Sequence, residues 1–174
     1  MGKKGRLFLP TFTRKPRKLN GFKLERGRLA LPSDTFFSED PVRLIEIFSL
    51  ADRFELEIHP LAMRSAQRDA RLIDRQIRND KRANELFLEI LSSPRNPEAV
   101  LRWMNESTIF GRFIPDFGRV VARMQFDMYH HYTVDEHLLR TVGELTRIEE
   151  GSVADVLPLS TAIMEGARWA SRRA

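Results

Sequence analysis

Apolar and polar residues alternate with a period of two over one short stretch, "GFKLERGRLAL" (21–31). Phe22 and Leu24, then Leu29 and Leu31, share a face, with Arg26-Gly27 between the two runs. That pattern predicts a small β-hairpin with one apolar side. The preceding "LFLPTF" predicts a further short strand, ended by Pro10. A lone hairpin is marginal in water, so its apolar side needs a neighbour.

Beyond residue 34 the apolar period becomes helical. Asp40-Pro41 is a start signal, an Asx cap followed by proline in the first turn, after which Leu44, Ile45, Phe48 and Ala51 recur at helical spacing. His59-Pro60 opens a segment predicted as one helix through "LAMRSAQRDARLIDRQIR", with Leu61, Ala66, Ala70, Ile73 and Ile77 on one stripe. Asp80 caps a third helix whose apolar face is Ala83, Leu86, Phe87, Ile90 and Leu91, ended before Pro94. Asn96-Pro97 starts a fourth that buries Val100, Trp103 and Met104. "IFGRFIPDFG" is aromatic and broken by glycine and proline, a packed turn, and "RVVARM" follows as a short helix. Thr133 and Glu136 fit a capping box that opens a helix through Val142 and Leu145. The fold class expected is mainly α, stacked short helices with a small N-terminal β-hairpin. No internal repeat is evident.

With 174 residues, 42% of them hydrophobic and 30% charged, the chain can bury a core. The absence of cysteine excludes disulfides and thiolate metal sites and is compatible with a reducing cytoplasm, the location expected. No apolar run approaches the roughly 20 residues that span a bilayer, so no membrane partner is expected. The net charge of +5 hides an asymmetry. Residues 1–30 hold ten Lys/Arg against Glu25 alone, a net +9, while the remainder is −4. The basic arm from Lys3 to Arg28 suits an acidic or nucleic-acid partner, or is the solvated edge of a larger neighbour. No aromatic-plus-glycine RNA-binding signature is interleaved with the charges, which favours the second reading.

Three of the four histidines, His130, His131 and His137, lie in "MQFDMYHHYTVDEHLLRTVG" (124–143). On one straight helix His130 and His137 would share a face but stand ~10.5 Å apart along the axis. Ligands sit ~2 Å from their metal, so these two cannot hold one ion on that geometry. His131 is rotated away from both, and no H-E-x-x-H is present. Asp116 and Asp127 are isolated carboxylates and weak candidates for catalysis.

The run "MNESTIFGRFIPDFGRVVARMQFDMYHHYTVDEHLLRTV" resembles the junction into the HD domain of the bifunctional uridylyltransferase/uridylyl-removing enzymes, which modify the PII nitrogen-signalling protein. The likeness extends upstream through "LFLEILSSPRNPEAVLRWMN", "LIDRQIR", "FFSEDPVRLIEIF" and the hairpin, and downstream to about Met164. It implies three parts: residues 1–33, a basic arm and hairpin as the tail of a nucleotidyltransferase module; 34–123, a helical linker domain; and 124–174, the truncated start of an HD phosphohydrolase domain. It implies further that His137 matches the first histidine of the HD metal set and that His130 is kept, whereas Phe126 replaces a family histidine. In the whole family Mg²⁺ or Mn²⁺ and UTP serve the reaction and PII is the partner.

The central motifs of that chemistry are missing. No His-Asp dipeptide occurs, and no Gly-Ser is followed by Asp-x-Asp. Phosphodiester hydrolysis needs several His and Asp ligands around its metal, and transfer from UTP needs carboxylates to place Mg²⁺ against the phosphates. The resemblance therefore implies a chain with no catalytic residue of its own, no cofactor, and one metal-type residue, His137, without its partners. The alternative is a stand-alone helical interaction module. As a separate chain it is expected to have a stable helical middle, about 40–123, with the hairpin and the last helix each exposing an apolar face.

Overall fold

The computed structural model describes residues 18–121 and 133–171. "LFLPTF", most of the basic arm, the end of "RVVARM", and Phe126, Asp127, His130 and His131 lie outside the described residues.

The hairpin forms as the alternation predicts. β1 (Lys23–Glu25) pairs antiparallel with β2 (Arg28–Ala30), Leu24 opposite Leu29. Its two-residue turn has Arg26 at φ 50° and Gly27 at φ 81°. Positive φ at both central positions matches the twist of the flanking strands, and glycine holds the second one without strain. The hairpin is not an exposed, poorly anchored end. Phe22 and Leu29 are buried, and Phe22 meets Phe36 edge-on at 4.9 Å between ring centroids. The needed neighbour is supplied within the chain, because α1 (Phe36–Glu39) turns Phe36 and Phe37 onto it.

α2 (Arg43–Phe54) is the central helix. Leu44, Ile45, Ile47, Phe48, Leu50 and Ala51 are all buried, so apolar residues cover most of its circumference. Its entry follows the Asx-Pro signal, with the Val42 N–H donating to Asp40 Oδ1 at 3.2 Å. It ends at Glu55, whose left-handed backbone (φ 52°) turns the chain into β3 (Glu57–Ile58). This strand lies parallel to β2, completing a three-stranded sheet in the order β1-β2-β3.

The second predicted helix is three pieces. α3 (Pro60–Asp69) is capped by His59 Nδ1, then a 3₁₀ turn covers Ala70–Leu72, and α4 (Arg75–Arg78) restarts because Asp74 accepts from the Ile77 N–H. The expected apolar stripe holds at Ala66, Ala70 and Ile73, which are buried, and at the partly buried Ile77, but at its start Ala62 is buried and Leu61 faces solvent. α5 (Lys81–Leu91) and α6 (Pro97–Glu106) begin at the predicted caps. Asp80 Oδ1 accepts from Ala83 N–H at 2.9 Å and Asn96 Oδ1 from Ala99 N–H at 3.2 Å. Ala83, Phe87 and Ile90 of α5 and Val100 and Met104 of α6 join the core around α2, while Leu91 is partly exposed.

The aromatic turn consists of two short helices, α7 (Ile109–Phe113) and α8 (Pro115–Val120). Phe110 stacks on Phe117 at 3.9 Å, and a Cβ on Gly118 would lie 2.5 Å from the Gly111 carbonyl oxygen. Only glycine permits that approach. α9 (Val134–Glu150) and α10 (Pro158–Ser171) form a helical pair, α9 lying on α6. Among the described residues, no helix is long and apolar enough to cross a membrane.

A polar seam crosses this core. Glu46, Ser49 and Asp52 recur every three residues on α2 and are buried. Glu46 takes Asn20 Nδ2 at 2.7 Å and Arg82 Nη2 at 2.9 Å. Ser49 donates to Glu89, which Arg53 grips with both Nε and Nη2. Asp52 takes Ser93 Oγ at 3.0 Å and Arg95 Nη2 at 2.7 Å. Buried charges persist only when paired in this way, and no buried side-chain N or O atom among the described residues lacks a partner.

Candidate functional site

His137 stands in the first turn of α9, and the residues around it decide where it points. Asp135 and Leu139, four residues apart on one helix face, are buried; His137, between them, lies on the opposite face and is exposed. Its backbone N–H donates to Thr133 O at 3.0 Å, and its carbonyl accepts from Thr141 Oγ1 at 2.9 Å.

The predicted capping box does not form. Thr133 occupies the N-cap with extended backbone, but its side chain makes no capping hydrogen bond. Glu136 reaches across to α6 and accepts from Arg102 Nη1. The same guanidinium donates from Nη2 to Glu98 at 2.9 Å. Hydrogen bonding to Glu136 raises the Arg102 pKa above its already high ordinary value, against the opposing effect of partial burial, so the cation is fixed. One turn further along α6, Asn105 Nδ2 donates to Asp135 Oδ2 at 3.0 Å. At the other end of the contact Gly143 lets α9 close on Glu98: a Cβ there would fall 2.2 Å from Glu98 Oε2. Sequence reading missed Arg102, Asn105 and Glu98, because nothing local in "PEAVLRWMNE" marks them as partners of a helix thirty residues on.

No group of three or more His, Asp or Glu side chains is placed to hold a metal ion among the described residues. Asp116 is exposed and pairs with Arg119 at 2.5 Å. Open grooves among the described residues include two that His137 does not line. One of about 430 Å³ has Leu56, Val100 and Trp103 in its wall beside the Asp52–Arg95 pair. Another of about 460 Å³ is lined by Asn105, Arg112, Arg119 and the Gly111–Gly118 contact.

Comparison with known proteins places this arrangement. The model of the family described as "Uridylyltransferase GlnD third domain" matches residues 22–113. The chain is 52% identical over 168 residues to a bifunctional uridylyltransferase/uridylyl-removing enzyme of Novosphingobium aromaticivorans, covering 97% of this chain and 18% of the relative. It is 55% identical over 153 residues to the enzyme of the same name from Erythrobacter litoralis, covering 88% of this chain and 17% of that relative. The chain thus spans less than a fifth of the length of these relatives. No solved structure matches it.

Proposed function

This chain belongs to the uridylyltransferase GlnD family through the third domain that residues 22–113 match, and from that membership we propose that it is the scaffold between the two chemistries of a bifunctional uridylyltransferase/uridylyl-removing enzyme. On this reading the helices around α2 are the linker, and α9 with α10 opens the hydrolase module, where His137 is the first metal histidine. The whole enzyme would use UTP with Mg²⁺ or Mn²⁺ and act on PII. The 174-residue chain is itself silent in both directions.

The observation that carries this reading is the pairing of 52% identity across nearly the whole chain with the lack of both catalytic motifs. The open face of the last two helices supports it. Leu138 and Leu145 on α9, and Leu159 and Ile163 on α10, are exposed at helical spacing. Apolar stripes of this kind await further structure.

The test is direct. Purified chain with PII, UTP and Mg²⁺ should give no uridylylation above a blank, and uridylylated PII with Mn²⁺ should lose no uridylyl group. Turnover in either direction overturns the proposal of a silent scaffold. Titration with Mn²⁺ or Zn²⁺ should find no binding tighter than that of a surface histidine. A submicromolar stoichiometric site lost in His137→Ala would show the cage to be complete.

A further inference from the structure

The contact between α6 and α9 leans more on polar links than the core around α2 does. The core around α2 is held chiefly by apolar side chains. Here Leu139 is the one fully buried apolar anchor from α9, helped by the partly buried Val142. The specific links are polar: Asn105 to Asp135, and Arg102, braced on its own helix by Glu98, to Glu136. A contact with so little buried apolar area leaves relative motion as the default unless something else sets the register. What fixes register is the shape of the polar pairs.

We propose that Arg102 is the positioning residue for His137, a latch by which the linker domain sets the rotation and height of α9. The inference rests on the reading of His137 as the first residue of a metal set, but its mechanics do not. A guanidinium is planar and donates in fixed directions. Arg102 uses one Nη on its own helix, at Glu98, and the other on α9, at Glu136. Glu98 stops the fork from turning, so Glu136 is held at one point. Asn105 holds the neighbouring Asp135. Two consecutive residues tied to the same helix leave α9 no freedom to roll. His137 follows Glu136 by about 100° of helical rotation, so its outward direction is set from α6. Gly143 allows the second half of α9 to keep the same close approach. Arg102 lies within the 22–113 domain and Glu136 outside it, so the latch joins two parts of the longer relatives.

The absence of cysteine makes the test clean. Spin labels are placed in the full chain at His137→Cys on α9 and Glu85→Cys on the exposed side of α5, and their separation is read by pulsed electron resonance. The otherwise unaltered chain should give one narrow distribution. R102Q should widen it about twofold and lower hydrogen-exchange protection of α9 about tenfold, with α2 and α5 unchanged. E136Q should widen it in the same way, and the double variant R102Q/E136Q should widen it no further than R102Q alone, because both remove one contact. A distribution that stays narrow in R102Q overturns the proposal. So does a double variant that widens it by the sum of the two single effects, since the loss would then be one of general packing. If R102Q does not fold, E136Q, which leaves Arg102 on Glu98, carries the same expectations. None of these readings depends on metal or turnover, so the latch and the proposed function fail separately.

Discussion

Replacing Arg95 by methionine should be among the more damaging single changes in the chain. Asp52 is the deepest carboxylate of the polar seam, with 3% of its side chain exposed against 34% for Arg95. Its oxygens take Arg95 Nη2 at 2.7 Å, Arg95 Nε at 3.2 Å and Ser93 Oγ at 3.0 Å. Removing one partner of a buried ion pair costs about 3–5 kcal/mol, because the other charge is left without compensation. Two features lower that figure here. Ser93 remains, and the groove beside Arg95 lets water reach the vacated side. A loss of about 2–3 kcal/mol follows, a fall in midpoint of about 5–10 °C for a chain of this size. D52N, which keeps the shape and a hydroxyl partner, should cost about 1 kcal/mol. The double variant D52N/R95M should then fall short of the sum by about 1 kcal/mol or more. Urea and thermal unfolding followed by far-UV circular dichroism measure all three. A loss in R95M below about 0.5 kcal/mol, or strict additivity in the double variant, would refute the reasoning and show that solvent replaces the guanidinium.

Gly118→Ala should destabilise by about 1–3 kcal/mol, since its Cβ would meet the backbone of Gly111 rather than a movable side-chain tip; a melt equal to wild type would show that α7 and α8 separate freely. Glu89 supplies a pH test. Hydrogen bonding from Arg53, aided by Ser49 and opposed by partial burial, holds its carboxyl below the usual carboxylate range. A depressed carboxylate contributes stability that is present above its unfolded pKa, near ~4.3, and is lost as pH falls through the folded value. The gap between wild type and Glu89→Gln should accordingly be widest at neutral pH and close on acidification, and a gap constant with pH would contradict the assignment.

The starts of α3, α5 and α6 were legible because capping is local. His59, Asp80 and Asn96 are each followed within three residues by the amide they accept from. The same logic, applied once more to Asp74, would have found the break between α3 and α4. The apolar period there ran on because Ala70 and Ile73 are buried from the 3₁₀ turn as they would be from a helix. β3 had no such signal. It is two residues long and exists because β2 lies beside it, twenty-nine positions earlier in the chain. The polar seam of α2 was invisible for a related reason. Glu46, Ser49 and Asp52 look like the solvated face of an amphipathic helix until Arg82, Glu89 and Arg95 arrive from 36 to 43 residues away.

The first turn of α9 shows how a correct local rule gives way to a distant partner. Thr133 and Glu136 have the spacing of a capping box, and nothing in their neighbourhood argues against it. A capping glutamate gains a hydrogen bond to one neutral amide. Glu136 instead meets a guanidinium already oriented by Glu98, and a charge-assisted pair is roughly twice as strong as a neutral one. The side chain goes where the stronger donor is. The helix start survives, since proximity of Asp135 and Glu136 to the positive end of the helix dipole still favours it there. What changes is the consequence for His137. A capping box would tie the first turn only to itself, leaving α9 free to roll on α6. The pair with Arg102 ties it to α6 instead. His137 therefore follows directly on a residue whose side chain is held from α6 and not from its own turn.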